Sequence, residues 1–290
     1  MASGWAALAL LANAFTWGIS WWPFRQLQML GVHPLWATAL IYGLAVVVLM
    51  VVRPTAWRAF RLHPGLWVLL VSAGLTNVGF NWAVTVGDVV RVVLLFYLMP
   101  AWVVLLAWPL LGEKPTAGSL FRLLIALTGV AIVLKSPESP WPWPHSLADG
   151  LALMGGFCFA LTNVMLRRLH QSPTSASMLA MFVGGTLMSS LTAVTMLHIG
   201  MVTALPPLEM RWLVWVAAMC MMFLVGNWGL QYGAARLSAS ATSIIMLSEV
   251  IFASSSALLL GAGTLTTRAL VGGALIVLAA VLSTVSLKKT

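Results

Sequence analysis

Two pairs of amides are the first residues in this sequence that could bind a solute. Asn77 and Asn81 stand four residues apart, and Asn227 and Gln231 repeat that spacing, so on a helix each pair shares one face. A carboxamide both donates and accepts hydrogen bonds, which suits a zwitterion with an ammonium and a carboxylate. Amides also cross-link helices within bundles, so both roles stay open for all four, and Asn13 and Asn163 offer the same chemistry. Trp17, Trp82, Trp102 and Trp228 stand deep in apolar runs with Tyr97 and Phe159. Such rings stack on an aromatic solute for about 0.5–1.5 kcal/mol beyond burial, although each also reads as a core or lipid-facing residue. Glu249 is a carboxyl in the middle of an apolar run. It is a candidate to take up and release a proton during turnover, or a protonated link between helices. Pro100 must free a backbone carbonyl and bend its helix beside Tyr97 and Trp102, which makes it a candidate gate or hinge.

The elements that hold these residues follow from composition. Of 290 residues, 61% are hydrophobic and only 7% charged, and the mean hydropathy is +1.00. A soluble domain carries about 25% charged residues, so the chain reads as an integral membrane protein. Charges and turn formers divide it into ten apolar stretches, at 4–24, 34–52, 65–87, 91–111, 117–135, 148–168, 175–199, 211–235, 238–260 and 266–287. A span takes about 20 residues, and no stretch alternates as a barrel strand does, so the expectation is all-α with ten transmembrane helices. Arg122 lies one turn inside the fifth, close enough to snorkel. The first run is too long for a signal-peptide core and lacks its basic flank. Ten further Trp, among them Trp5, Trp57, Trp67 and Trp212, fall near span ends and read as interfacial belts.

The pattern Asn-x-Gly-x-amide-aromatic at Asn77–Trp82 returns at Asn227–Tyr232, an offset of 150, and Leu110-Leu111-Gly112 returns at Leu259-Leu260-Gly261, an offset of 149. An end of span one at Arg25 is echoed at Arg168. With five spans per half, the second half runs upside down, a plan common among secondary transporters. The expected organisation is a first repeat over 1–135, a periplasmic linker over 136–147 with interleaved Pro and Trp, and a second, inverted repeat over 148–290. Lys and Arg number ten on one side and five on the other, which places both termini in the cytoplasm.

Several functions are set aside. The cations are scattered singly or in twos and threes, with no nucleic-acid patch, and no loop could hold a nucleotide-binding domain. Cys158 and Cys220 lie in apolar runs, the five His form no metal-spaced cluster, and no zinc motif or nucleophile–base pair points to an enzyme. No cofactor or metal is expected. The expected partners are a small-molecule substrate and the lipid bilayer, with a functional monomer because one chain supplies both halves.

Trp17-Gly18, the run from Pro100 to Leu111-Gly112-Glu113 and the ten-span duplication resemble the EamA-type drug/metabolite transporter superfamily over the whole chain. Within it, Asn13-Ala14-Phe15-Thr16-Trp17-Gly18-Ile19-Ser20-Trp21-Trp22-Pro23-Phe24-Arg25 is similar to the YddG-type aromatic amino-acid exporters. The second half departs from the pattern, with Gly261-Ala262 in place of Gly-Glu and Glu249-Val250 where an early Pro is expected. The resemblance implies export of aromatic and other hydrophobic amino acids across the bacterial inner membrane by alternating access, with broader drug or metabolite export as the alternative. The ring would then lie against Trp17, Tyr97 and Trp102, and the polar end toward Asn77, Asn81 or Asn227.

Overall fold

The computed structural model describes residues 2–112, 114–134, 144–169, 171–234, 236, 245–246 and 248–286. Their regular elements are all helical: α1 (Ala2–Ile19), α2 (Trp21–Met29), α3 (Pro34–Val52), a 3-10 turn (Ala56–Arg58) running into the short α4 (Ala59–Leu62), α5 (Gly65–Val86), α6 (Val89–Phe96), α7 (Met99–Leu111), α8 (Ala117–Leu134), α9 (Leu147–Arg168), α10 (Thr174–His198), α11 (Met210–Ala234), α12 (Ser248–Leu259) and α13 (Thr267–Ser286). Among the described residues six segments are long and apolar enough to cross a bilayer: Pro34–Val52, Gly65–Val86, Val89–Leu111, Leu147–Arg168, Thr174–His198 and Met210–Leu230. Exposed Val47, Leu124, Leu191 and Val214 on the outward faces suit contact with hydrocarbon. Most of the Pro/Trp linker, through residue 143, lies outside the described residues, as does the start of the ninth stretch.

Two expected spans are each built from two helices. The first breaks at Ser20, three residues before Pro23, and the fourth at Tyr97–Leu98, shortly before Pro100. Proline gives no N–H to the carbonyl four residues back, here that of Ile19 or Phe96. The freed Phe96 carbonyl turns onto Gly156 of α9, where a Cβ would lie 2.6 Å from its oxygen. Pro100 itself opens α7, a position whose N–H has no helical partner in any case. The bend thus falls before Pro100 rather than at it.

α5 is the central helix, packed along α9 on one side and α10 on the other. At Gly184 of α10 the Leu70 carbonyl comes so near that no side chain fits. Small residues at such crossings bring backbones together where lipid supplies no hydrophobic drive. Gly229 and Gly233 of α11 do the same for α1, each 2.8 Å, as a Cβ, from the carbonyl of Ala9 or Ala6. α3 lies along α10, α8 along α13, and α6 and α7 along α9.

A polar clamp ties the α5–α6 turn to later elements. Arg91 forks onto Asp149 at 2.7 and 2.9 Å and donates to the Val133 carbonyl at 2.6 Å. Asp88 caps α6 through the Arg91 N–H and accepts from Thr264 N and Oγ1 at 2.7 and 3.0 Å. Arg25 donates to the carbonyls of Val84 and Gly87. Asp149 is 2% exposed, so Arg91→Ala, which strands a buried carboxylate, should cost roughly 3 kcal/mol. Thermal unfolding in detergent measures this, and adding Asp149→Asn should recover part of the loss. His33 caps α3, its Nδ1 accepting from the Leu35 N–H at 3.3 Å, and burial lowers its pKa from 6.5 to about 4. Folded His33 therefore resists a proton that the unfolded chain accepts. Stability should be full above pH 6.5 and fall as the pH drops toward 4, and His33→Asn should flatten that part of the stability profile.

Candidate substrate cavity

A cavity of ≈ 120 Å³ lies between the helices, room for on the order of ten water molecules. Each wall comes from a different element because every helix turns only one narrow face inward. Trp17 comes from α1, Tyr42 from α3, Asn77 and Phe80 from α5, Phe96 from the end of α6, Phe159 and Thr162 from α9, Met178, Met181 and Phe182 from α10, Asn227 from α11 and Glu249 from α12.

The rings support one another. Trp17 stacks on Phe223 with centroids 4.7 Å apart, while Phe96 meets Phe80 at 4.7 Å and Phe159 at 5.4 Å. The polar groups divide into committed and available. Tyr42 donates its hydroxyl to Asn77 Oδ1, and Asn77 Nδ2 donates to the Ala73 carbonyl at 2.8 Å. Asn227 Nδ2 donates to the Phe223 carbonyl at 3.2 Å, which uses one of the four hydrogen-bonding positions of its amide. Asn13 is fully buried at the cavity edge, its Nδ2 reaching only the Met246 sulfur at 3.4 Å. Tyr97 is buried at the helix break and is not among the residues that line the cavity.

Of the residues singled out from sequence, Asn13, Trp17, Asn77, Phe159, Asn227 and Glu249 meet at this cavity. Others lie apart from its walls. Asn81 is 1% exposed and donates to Thr38 Oγ1 at 3.1 Å, because α5 is surrounded and its face at Asn81 meets α3. Trp82 packs edge-on against His33. Trp102, beyond the break, packs edge-on against Phe157. Asn163 is half-buried and, one residue from Thr162, is turned about 100° away. Trp228 is 64% exposed and stacks on Tyr232 at the outer surface. Trp212, placed in the belts from its position near a span end, is 1% exposed and donates its indole N–H to the Pro207 carbonyl, because the turn before α11 folds over it. The side chain of Gln231 lies outside the described residues. Sequence reasoning passed over Tyr42, Phe80, Phe96, Met178, Met181 and Phe182. The i, i+3, i+4 spacing of Met178, Met181 and Phe182 marks one face of α10, but the same spacing serves ordinary packing.

The arrangement can enclose a flat apolar group and offer it hydrogen bonds from amides and a carboxyl. Among the described residues no group of His, Cys, Asp or Glu could hold a metal ion. Residues 4–135 match the EamA-like transporter family. No curated protein matches the sequence. The crystal structure of a protein aligns with 97% of this chain and 96% of its own at a TM-score of 0.62 and 18% identity, a likeness of fold.

The two amides of α5 and α11 should separate on mutation. Asn81→Ala removes the bond to Thr38 and should cost about 1–2 kcal/mol of stability while leaving ligand binding unchanged. Asn227→Ala should do the reverse. Thermal melts with and without phenylalanine measure both effects.

Proposed function

We propose that this chain, whose residues 4–135 belong to the EamA-like transporter family, is a secondary exporter of aromatic and other hydrophobic amino acids. It works in the bacterial inner membrane by alternating access. The family match supports a multi-pass drug/metabolite transporter. The observation that carries the finer reading is the make-up of the cavity, with aromatic walls, amides and one carboxyl converging from both halves of the chain.

The helix pairing supports two inverted five-span repeats, 1–135 and 148–290. Exchanging each span for the one five places on turns the α5–α9 pair into α11–α1, and α7–α9 into α12–α1, while α3–α10 and α8–α13 map onto themselves; all of these pairs pack together. Ten spans put both termini on one side, the cytoplasmic side by the Lys/Arg bias. A monomer then suffices, since the cavity needs no second chain. The breaks at Ser20 and Tyr97–Leu98 are the places where such a chain would flex, with Pro100 holding the second open as a hinge. A second reading, broader export of flat drugs or metabolites, is favoured by Met178, Met181 and Met246, flexible side chains that let a wall adapt.

Flux of labelled amino acids in liposomes containing only this protein tests the proposal. Trp17→Ala should lower phenylalanine and tryptophan transport about tenfold, near the stacking and burial of one ring, and threonine transport far less. Equal loss for all three would make Trp17 structural. If Glu249 takes up a proton in each cycle, Glu249→Gln should abolish any dependence of flux on a pH gradient, and an unchanged dependence would exclude it.

A further inference from the structure

The charge inventory of the cavity is lopsided. Among the described lining residues Glu249 is the one acid, and none is a Lys, Arg or His. The cations of the clamp are committed elsewhere, Arg91 to Asp149 and the Val133 carbonyl and Arg25 to the carbonyls of Val84 and Gly87. The hydroxyl of Tyr42 is already given to Asn77, and the Asn77 amide to Tyr42 and Ala73.

The two ends of an amino acid would fare differently there. A carboxylate taken from water into an apolar cavity loses its hydration and meets only neutral donors, so little offsets the cost. An ammonium meets the Glu249 carboxyl in a charge-assisted hydrogen bond.

We infer that the cavity reads the amine end of its substrate through Glu249 and leaves the carboxylate end unread, so that aromatic primary amines without a carboxylate are a further class of substrate. This rests on the aromatic-exporter reading and sharpens it. Removing the carboxylate from phenylalanine costs little, whereas removing the amine takes away the one charged contact.

Three solutes that share a ring decide the matter: phenylalanine, 2-phenylethylamine and 3-phenylpropionate, each measured for binding to the purified protein and for flux in liposomes. Phenylethylamine should bind within about threefold of phenylalanine. Phenylpropionate should bind roughly tenfold to a hundredfold more weakly, the range of one charge-assisted hydrogen bond. Glu249→Gln should close that gap. Phenylpropionate binding as well as phenylethylamine overturns the inference on the wild-type protein alone, whatever the variant does. A gap that survives in folded Glu249→Gln overturns the assignment to that residue. Transport of phenylalanine without phenylethylamine ends the inference and leaves the amino-acid reading intact. Transport of phenylethylamine without phenylalanine supports the inference and ends the amino-acid reading, and if neither is carried both fall.

Discussion

Hydrocarbon offers no hydrogen bonds, so a helix that breaks at membrane depth must have its break wrapped in protein. The arrangement around α6 follows from that constraint. Phe96, Tyr97 and Leu98 are all buried, and the carbonyl that Pro100 cannot engage turns onto Gly156 of α9. α9 must therefore lie close along both α6 and α7, and the same helix packs along α5. A large residue at Gly156 would push α9 from the break and leave the Phe96 carbonyl facing apolar side chains.

The wrapped break also explains where chemistry collects. α6 is only eight residues long, about 12 Å at 1.5 Å per residue, and its start is fixed by polar contacts to later elements. At its start, Asp88 and Arg91 engage Thr264 and Asp149. At its end, Phe96, Tyr97 and Leu98 are buried against neighbouring helices. The rest of α6 is buried and largely aliphatic up to Phe96, so its position depends on the polar contacts at its start and on packing against the helices around it, α5 and α9 foremost.

The cavity itself is built sparingly. Its amides are partly spent on holding neighbours, as Asn77 holds Tyr42, and its rings lean on other rings, as Trp17 leans on Phe223. Such mutual support limits how far the walls can collapse into the space between them. The methionines of α10 are the softer part of the wall.

Much of this was legible in the sequence, because hydropathy alone decides whether a helix can cross a bilayer. The membrane class, the placing of the stretches now seen as α3, α5, α9, α10 and α11, and the short roster of deep amides, rings and one acid all followed from composition and spacing. Pro100 announced a bend, although its position before the proline, at Tyr97–Leu98, depended on where the freed carbonyl could be accommodated. The facing of side chains was not legible. A helix that is apolar all round carries no polar face to orient it, so Asn77 and Asn81, or Asn227 and its neighbour Trp228, looked equally placed for binding. Tertiary packing separated them, since α5, enclosed along Ser72–Thr85, meets the cavity at Asn77 but α3 at Asn81, while α11 turns Asn227 inward and Trp228 outward. Trp212 was misplaced for the same reason, as distance from a span end fixes depth in the membrane but not which neighbour covers the ring. Sequence determined which residues are costly to bury, and only the packing of helix on helix decided which of those residues share a cavity.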